Sequence, residues 1–292
     1  MKIAIYARNT NDNVSEHIQL LFNKLNEYKV EILIYQPFYS FIKTKLDIVG
    51  DIKTFSTYND LLDKVDFLLS LGGDGTILET VTFVRDSGIP VLGINTGRLG
   101  FLANVAKEEI NDAIDSLLSN KFVVEKRTLL EVANPKDLFG EVNYGLNELT
   151  ILKKDSSSMI IIHTFINGNF LNSYFADGLI IATPTGSTAY SLSCGGPLVM
   201  PGSQNFVITP IAPHNLNVRP LVISDNNIIT LKVEGRSPNY LLSLDSRNVV
   251  IDSSIELTLQ KADFSIHLIQ LENQNFYTTI RNKLLWGLDR RV

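Results

Sequence analysis

Strand-like and helix-like segments alternate through the first hundred residues, and this alternation restricts the fold more than any other feature of the chain. Ile3-Ala4-Ile5-Tyr6-Ala7 reads as a short buried strand, and Val14, Ile18, Leu21, Phe22 and Leu25 follow at helical spacing. Val30 to Tyr35 reads as a second strand and Phe67 to Leu71 as a third. Ile77 to Arg85 is expected to be a helix and Val91 to Asn95 a further strand. Strands separated by helices indicate a parallel, doubly wound sheet. Residues 1–105 are therefore expected to form a Rossmann-like α/β domain.

The texture changes after the helical stretch Glu108 to Leu118. From Phe122 to about Ile269 the chain is rich in β segments, among them Met159 to Phe165, Leu179 to Thr183, Ile228 to Val233 and Ile255 to Leu259. Asn167-Gly168, set between two such runs, is a strong hairpin signal. Residues 106–276 are expected to form an all-β sandwich domain. Tyr277 to Trp286 reads as helical again, and a terminal helix over 277–292 is expected to pack back on the first domain.

The 292 residues carry 26 basic and 31 acidic side chains, a formal charge of −5. General nucleic-acid binding normally shows a basic surplus, so that class is disfavoured. The single cysteine, Cys194, rules out an intrachain disulfide and favours an intracellular setting. The N-terminus runs directly into a strand with no signal-peptide pattern, and no stretch of about 18 apolar residues suggests a membrane span. The chain is expected to be cytoplasmic, with no membrane partner.

Chemistry concentrates in three places. The first is Gly72-Gly73-Asp74-Gly75-Thr76, an apolar strand ending in a glycine turn that leads into a helix. Ligands bind at the carboxyl ends of strands in open parallel sheets. Glycines let backbone approach a phosphate, and N–H groups at a helix start attract anions. Asp74 has two readings at this point: a helix N-cap, or a carboxylate that orients a hydroxyl nucleophile or helps hold a metal ion. Neither the P-loop pattern nor Gly-x-Gly-x-x-Gly occurs.

The second is Asp177 to Pro197, where an apolar strand runs into a loop bearing hydroxyls at Thr183, Thr185, Ser187, Thr188, Tyr190, Ser191 and Ser193. Such a loop suits hydrogen bonding to ribose and amide groups, and the bland alternative is a Ser/Thr/Gly turn capping a helix. The third is Asn147-Glu148, a polar pair inside the strand-like Val142 to Leu152, which also fits the solvent face of a strand. Asp245-Ser246-Arg247 is equally open and reads as a turn. His17, His163, His214 and His267 have no metal-ligand spacing, and no hydrolase elbow is present.

Together these segments resemble the NAD kinase family over most of the chain. Gly72 to Thr76, Asn95-Thr96-Gly97 to Gly100-Phe101, Asn147-Glu148, Asp177 to Pro197, Pro213-His214, Arg219-Pro220-Leu221 and Lys283 to Trp286 occur in the family's order. Diacylglycerol and sphingosine kinases and phosphofructokinases carry similar glycine-aspartate runs. Thr183-Pro184-Thr185-Gly186-Ser187-Thr188-Ala189-Tyr190 is much more specific.

The resemblance implies phosphoryl transfer from ATP or polyphosphate, with a divalent metal such as Mg²⁺, to the adenosine-ribose 2′-hydroxyl of NAD, giving NADP. It implies a homodimer or homotetramer. It makes Asp74 the proton acceptor, with Gly72, Gly73, Gly75, Thr76 and Phe101 around the nucleotide. Asn147 and Glu148 would hold ribose hydroxyls, and Asp177 the nicotinamide end or a neighbouring subunit's substrate. Thr188, Ala189, Tyr190, Ser191 and Ser193 would line the dinucleotide pocket, with Ala212 on the adenine side and Arg247 at a position that is often glutamine. Glu79 and Phe175 stand where some members carry basic residues. The competing functions are a lipid kinase of the diacylglycerol type and a non-catalytic NAD(P)-binding sensor.

Overall fold

A computed structural model describes residues 1–8, 15–49, 52–97, 99–154, 159–272 and 274–287. The chain forms two compact units, one of residues 1–126 with 266–292 and the other of residues 127–265.

In the first unit the elements are β1 (Lys2–Ala7), α1 (Ser15–Glu27), β2 (Glu31–Tyr35), α2 (Gln36–Ile42), β3 (Lys53–Phe55), β4 (Phe67–Leu71), α3 (Asp74–Val84), β5 (Val91–Asn95), β6 (Val105–Ala106) and α4 (Ile110–Leu118). The strands pair in the parallel order β5-β4-β1-β2-β3. β2 and β3 extend the sheet to one side of β1, and β4 and β5 extend it to the other. The order therefore reverses between β1 and β4, and such a reversal opens a crevice at the carboxyl ends of the two strands. Every residue of β4 and β5 is buried, as expected for strands covered on both faces.

Ile18, Leu21, Phe22 and Leu25 of α1 are buried in one core with Ile110, Ala113, Ile114 and Leu117 of α4. Val14, on the same apolar pattern, lies outside the described residues. Asp115 of α4 lies 2.9 Å from Lys24 Nζ and accepts a hydrogen bond of 2.8 Å from the Tyr28 hydroxyl. This packing makes α4 part of the α/β unit, which extends past the change of texture near residue 105 to Lys126.

The second unit contains most of β7 (Phe122–Asn134), then β8 (Tyr144–Gly145), β9 (Glu148–Lys153), β10 (Ile160–Ile166), β11 (Asn169–Ala176), β12 (Gly178–Ala182), α5 (Tyr190–Ser193), β13 (Asn205–Ile211), β14 (Leu221–Ser224), β15 (Ile229–Gly235), β16 (Asn239–Leu244), β17 (Arg247–Asp252) and the start of β18 (Glu256–Leu271). One antiparallel sheet has the order β14-β13-β12-β9-β16-β17, and the other runs β11-β10-β15-β18. Ile160, Ile162, Leu231 and Val233 of the second sheet share a buried cluster with Ile151, Ile181, Phe206, Ile208 and Leu242 of the first. Alternation is clean in β16, where Tyr240, Leu242 and Leu244 face this core. The unit is the β-sandwich that the sequence pattern indicates.

The chain then returns to the first unit, where Leu268 pairs with Val91 of β5 and α6 (Phe276–Leu284) follows. Asn275 caps α6 by accepting a bond of 2.9 Å from the Thr278 N–H. Residues 288–292 of the terminal segment lie outside the described residues. No helix among the described residues is long and apolar enough to cross a membrane.

Asn167 and Gly168 form a two-residue turn between β10 and β11 with φ of 50° and 78°. Positive φ at both positions is the geometry that matches strand twist in a tight hairpin, and it favours Asn-Gly. Gly168→Ala is expected to destabilise the sandwich by about 1 kcal/mol, read as a lower urea midpoint with an unchanged slope.

Candidate functional site

The glycine-aspartate turn stands where β4 ends, beside the reversal in strand order. Helix α3 begins at Asp74, and its N-cap is Gly73, which makes no side-chain cap. Asp74 is thus not the cap that its sequence position allows. Its carboxylate turns away from its own helix and accepts three successive backbone N–H groups: Phe101 at 2.8 Å on Oδ2, and Leu102 at 3.0 Å and Ala103 at 2.9 Å on Oδ1. Hydrogen bonds to a charged group contribute about 1.5–3 kcal/mol each, so this clasp fixes both the turn and the 101–103 segment.

Gly100 makes the clasp possible, because a Cβ there would land on the Asp74 carboxylate. Gly73 and Gly75 are exposed and face open space, leaving the backbone bare on both sides of Asp74. Thr76 is buried, and its side chain fills the space that a Cβ on Gly72 would need. Lys283 of α6 donates to the Leu99 carbonyl and stands 5.6 Å from the centre of the Phe101 ring. Glu79, on the same helix as Asp74, is engaged by Arg8 and by the Tyr6 hydroxyl, the latter at 2.8 Å.

In the sandwich, Asn147 and Glu148 stand at the start of β9, which lies between β12 and β16. This is not the solvent face of a strand: Asn147 is buried, and burial pushes the Glu148 carboxyl up to about 8. The charge of Asp245 adds to that rise and the Tyr190 N–H opposes it. Glu148 Oε2 is buried with no hydrogen-bond partner.

The pair is fixed by Asp245, in the turn between β16 and β17. Asp245 Oδ2 accepts the Leu146 N–H at 2.7 Å, and Oδ1 accepts the N–H groups of Asn147 at 2.8 Å and Glu148 at 3.1 Å. Burial pushes the Asp245 carboxyl up, but the three N–H donors and nearby Arg247 oppose this. That donor set suits a carboxylate. Arg247 donates to the Val142 and Tyr144 carbonyls, so it braces the segment leading to Asn147.

The hydroxyl-rich loop packs on the same pair. Thr183 N–H donates to the Asn147 carbonyl at 2.8 Å and its hydroxyl to the Leu146 carbonyl at 2.6 Å. A Cβ on Gly186 would collide with the Asn147 carbonyl. Several of the hydroxyls are already used internally. Ser187 donates to the Pro184 carbonyl and Thr188 to the Thr185 carbonyl, while Ser191 pairs with Thr209 at 2.8 Å. Tyr190 and Ser193 are exposed, with Thr188 and Ala189 half-buried. Asp177, just before β12, lies 2.6 Å from Lys153 Nζ. Ala212 is exposed just after β13, with φ of 45°.

A family model for the ATP-NAD kinase N-terminal domain matches residues 39–122, and one for the ATP-NAD kinase C-terminal domain matches residues 146–271. The chain belongs to the NAD kinase family. It is 47% identical to the NAD kinase of Cytophaga hutchinsonii over 292 residues and 48% identical to that of Flavobacterium psychrophilum over 293, with each chain covered completely. Among solved structures it resembles yeast NADH kinase complexed with NADH, with a TM-score of 0.87 and 27% identity over 100% of this chain and 89% of that one. It also resembles an NAD kinase from Archaeoglobus fulgidus in complex with ATP, with a TM-score of 0.75 and 25% identity over 96% and 99% of the two chains. The chain is accordingly a phosphotransferase with NAD as acceptor. The likeness runs through both halves, which a lipid kinase sharing only the glycine-aspartate turn does not explain.

Sequence reasoning missed the role of Asp245. The residue was visible only as part of a turn, because its partners lie almost a hundred positions earlier.

Two outcomes follow from this geometry. Gly100→Ala is expected to displace the Asp74 carboxylate and lower NADP formation at least tenfold, or about 1.4 kcal/mol of barrier, in protein whose melting shows it folded. Glu148 keeps a proton in the folded state up to about pH 8, whereas the unfolded chain releases it near 4.5. Stability therefore falls as pH rises through that window. Glu148→Gln removes this loss, so its melting temperature relative to the parent is expected to climb between pH 5 and pH 8.5.

Proposed function

We propose that the chain transfers the terminal phosphoryl group of ATP to the adenosine-ribose 2′-hydroxyl of NAD, with Asp74 receiving the hydroxyl proton. The observation that carries this reading is the Asp74 carboxylate, clasped by three N–H groups and flanked by bare glycine backbone at the end of β4. Each carboxylate oxygen has about two lone-pair directions. Oδ1 already accepts two bonds and Oδ2 one, so Oδ2 is the atom we assign to the hydroxyl. The bond from O2′ to phosphorus forms as the bond from the γ-phosphorus to the ADP oxygen breaks. In a loose transition state the nucleophile gains little charge early, so its proton passes to Oδ2 late. Asp74 thus serves mainly to orient the hydroxyl, and N–H groups in the first turn of α3 offer positive potential to the phosphates.

The family resemblance implies a divalent cation, Mg²⁺, which when bound neutralises phosphate charge. Among the described residues no group of three or more His, Cys, Asp and Glu is poised to hold one. A cation carried largely by phosphate oxygens, as Mg²⁺ often is, fits this chain better than one in a protein cage. Asn147 and Glu148 are assigned to ribose hydroxyls, and Thr188, Ala189, Tyr190, Ser191 and Ser193 to the dinucleotide. Asp177 is assigned to the nicotinamide end or a neighbouring subunit's substrate, and Ala212 to the adenine side. Arg247 supports the Asn147 segment through backbone carbonyls. The working form is a cytoplasmic homodimer or homotetramer. The yeast NADH kinase with NADH and the Archaeoglobus fulgidus NAD kinase with ATP support the choice of acceptor and donor.

The test incubates purified protein with ATP, Mg²⁺ and NAD and follows NADP. Asp74→Asn keeps the side-chain shape but loses an acceptor oxygen, and kcat is expected to fall at least a hundredfold, or about 2.7 kcal/mol. A kcat within tenfold of the parent would sink the proton-acceptor role.

A further inference from the structure

We propose that Asp245 is a positioning residue for the NAD reaction, whose carboxylate sets the backbone of Asn147 and Glu148 so that their side chains meet the ribose. The inference rests on the assignment of those two residues to the ribose hydroxyls.

Three observations converge on it. The Asp245 carboxylate accepts the N–H groups of Leu146, Asn147 and Glu148 in succession, and its own N–H donates to the Glu148 carbonyl at 3.0 Å. The segment is thus gripped from both sides by one residue, at the point where it enters β9. Second, Asp245 holds φ of 52° in a two-residue turn between Leu244 and Arg247. Asp tolerates positive φ better than most residues because its short polar side chain bonds locally, so this turn can present the carboxylate to the 146–148 segment. Third, the approach is close: a Cβ on Gly145 would stand 2.8 Å from Leu244 Cδ1 and 3.0 Å from Asp245 Oδ1.

The arrangement also bears on Glu148. Two acids occur side by side, one surrounded by N–H donors and Arg247, the other desolvated with a bare oxygen. Such contrasting environments drive two acids into different protonation states. Burial pushes both carboxyls up; at Asp245 the three N–H donors and Arg247 oppose the rise, whereas at Glu148 burial and the Asp245 charge push the carboxyl up to about 8. A neutral Glu148 offers the ribose both a donor and an acceptor. It also adds no negative charge near a substrate that carries phosphates. The groups facing Glu148 are Asp245, the Tyr190 N–H and the Cys194 thiol, with Arg247 behind Asp245.

The test measures kcat and KM for NAD and for ATP between pH 6 and 9.5 in the parent and in Asp245→Asn, Asp245→Gly, Asn147→Ala and Glu148→Gln, each first shown folded by thermal melting. Asp245→Gly suits the positive φ and lacks the carboxylate, so it separates the clasp from the shape of the turn. Asp245→Asn keeps one acceptor oxygen for part of the clasp.

KM for NAD is expected to rise about tenfold or more in Asp245→Gly and less in Asp245→Asn, with KM for ATP within twofold of the parent. In the parent, KM for NAD is expected to rise above about pH 8 as Glu148 ionises. That rise should begin at lower pH in Asp245→Asn, where the neighbouring charge is gone, and vanish in Glu148→Gln.

Parent-like KM and pH profiles in the Asp245 variants, beside impaired Asn147→Ala, would overturn the proposal alone. If Asn147→Ala and Glu148→Gln also bind NAD normally, the ribose assignment falls and the proposal with it. Should neither Asp245 variant fold, Gly145→Ala, whose Cβ would crowd Leu244 and the Asp245 carboxylate, decides: a raised KM for NAD with an unchanged KM for ATP supports the proposal, and parent-like values for both overturn it.

Discussion

In each unit, among the described residues, one carboxylate accepts three successive backbone N–H groups and holds the segment that carries them. Asp74 gathers the N–H groups of residues 101–103, and Asp245 those of residues 146–148. In the first case the N–H groups belong to an irregular segment, and in the second to the bend at Leu146-Asn147 and the first residue of β9. An unpaired buried N–H costs about 1–3 kcal/mol, so three left unmet would make the segment untenable. One side-chain carboxylate meets the need and fixes the local backbone. The Asp74 clasp requires a glycine at the point of closest approach, Gly100, and Gly145 lies against both Leu244 and Asp245 in the other.

The hydroxyl-rich loop follows the same economy of polar groups. Its sequence suggests a row of donors offered to a ligand, yet Thr183, Ser187, Thr188 and Ser191 spend their hydroxyls on neighbouring protein atoms. The loop closes over the Asn147 carbonyl at Gly186 and is tied there by Thr183. A buried loop must satisfy its own polar groups, and these residues do that. What remains outward is Tyr190 and Ser193. The residue types of the motif thus follow from the packing of the loop on the Asn147-Glu148 pair.

Much of the fold was legible because its signals are local. Continuous apolar runs at Phe67 to Leu71 and Val91 to Asn95 gave buried parallel strands, and Asn167-Gly168 gave the hairpin. The glycine-aspartate turn announced itself by composition alone. The sequence could not reveal which way Asp74 faces, because the cap and the clasp require the same residue type at the same place. Nor does local pattern distinguish Asn147-Glu148 on a solvent face from the same pair at the start of a central strand. The position of β9 between β12 and β16 decides that, and it is what desolvates Glu148.

Sequence by itself determined the two architectures, the family and the place of the glycine-aspartate turn, since each is written in short-range pattern or a run of adjacent residues. Tertiary structure alone decided that Asp74 is held by the segment at 101–103 and that Asp245 governs Asn147 and Glu148. It also decided that burial and the Asp245 charge push the Glu148 carboxyl up to about 8. The physical reason is separation along the chain. Hydrogen bonding and desolvation act over a few ångströms in space, and the groups that act on these three carboxylates lie from tens to about a hundred residues away in sequence.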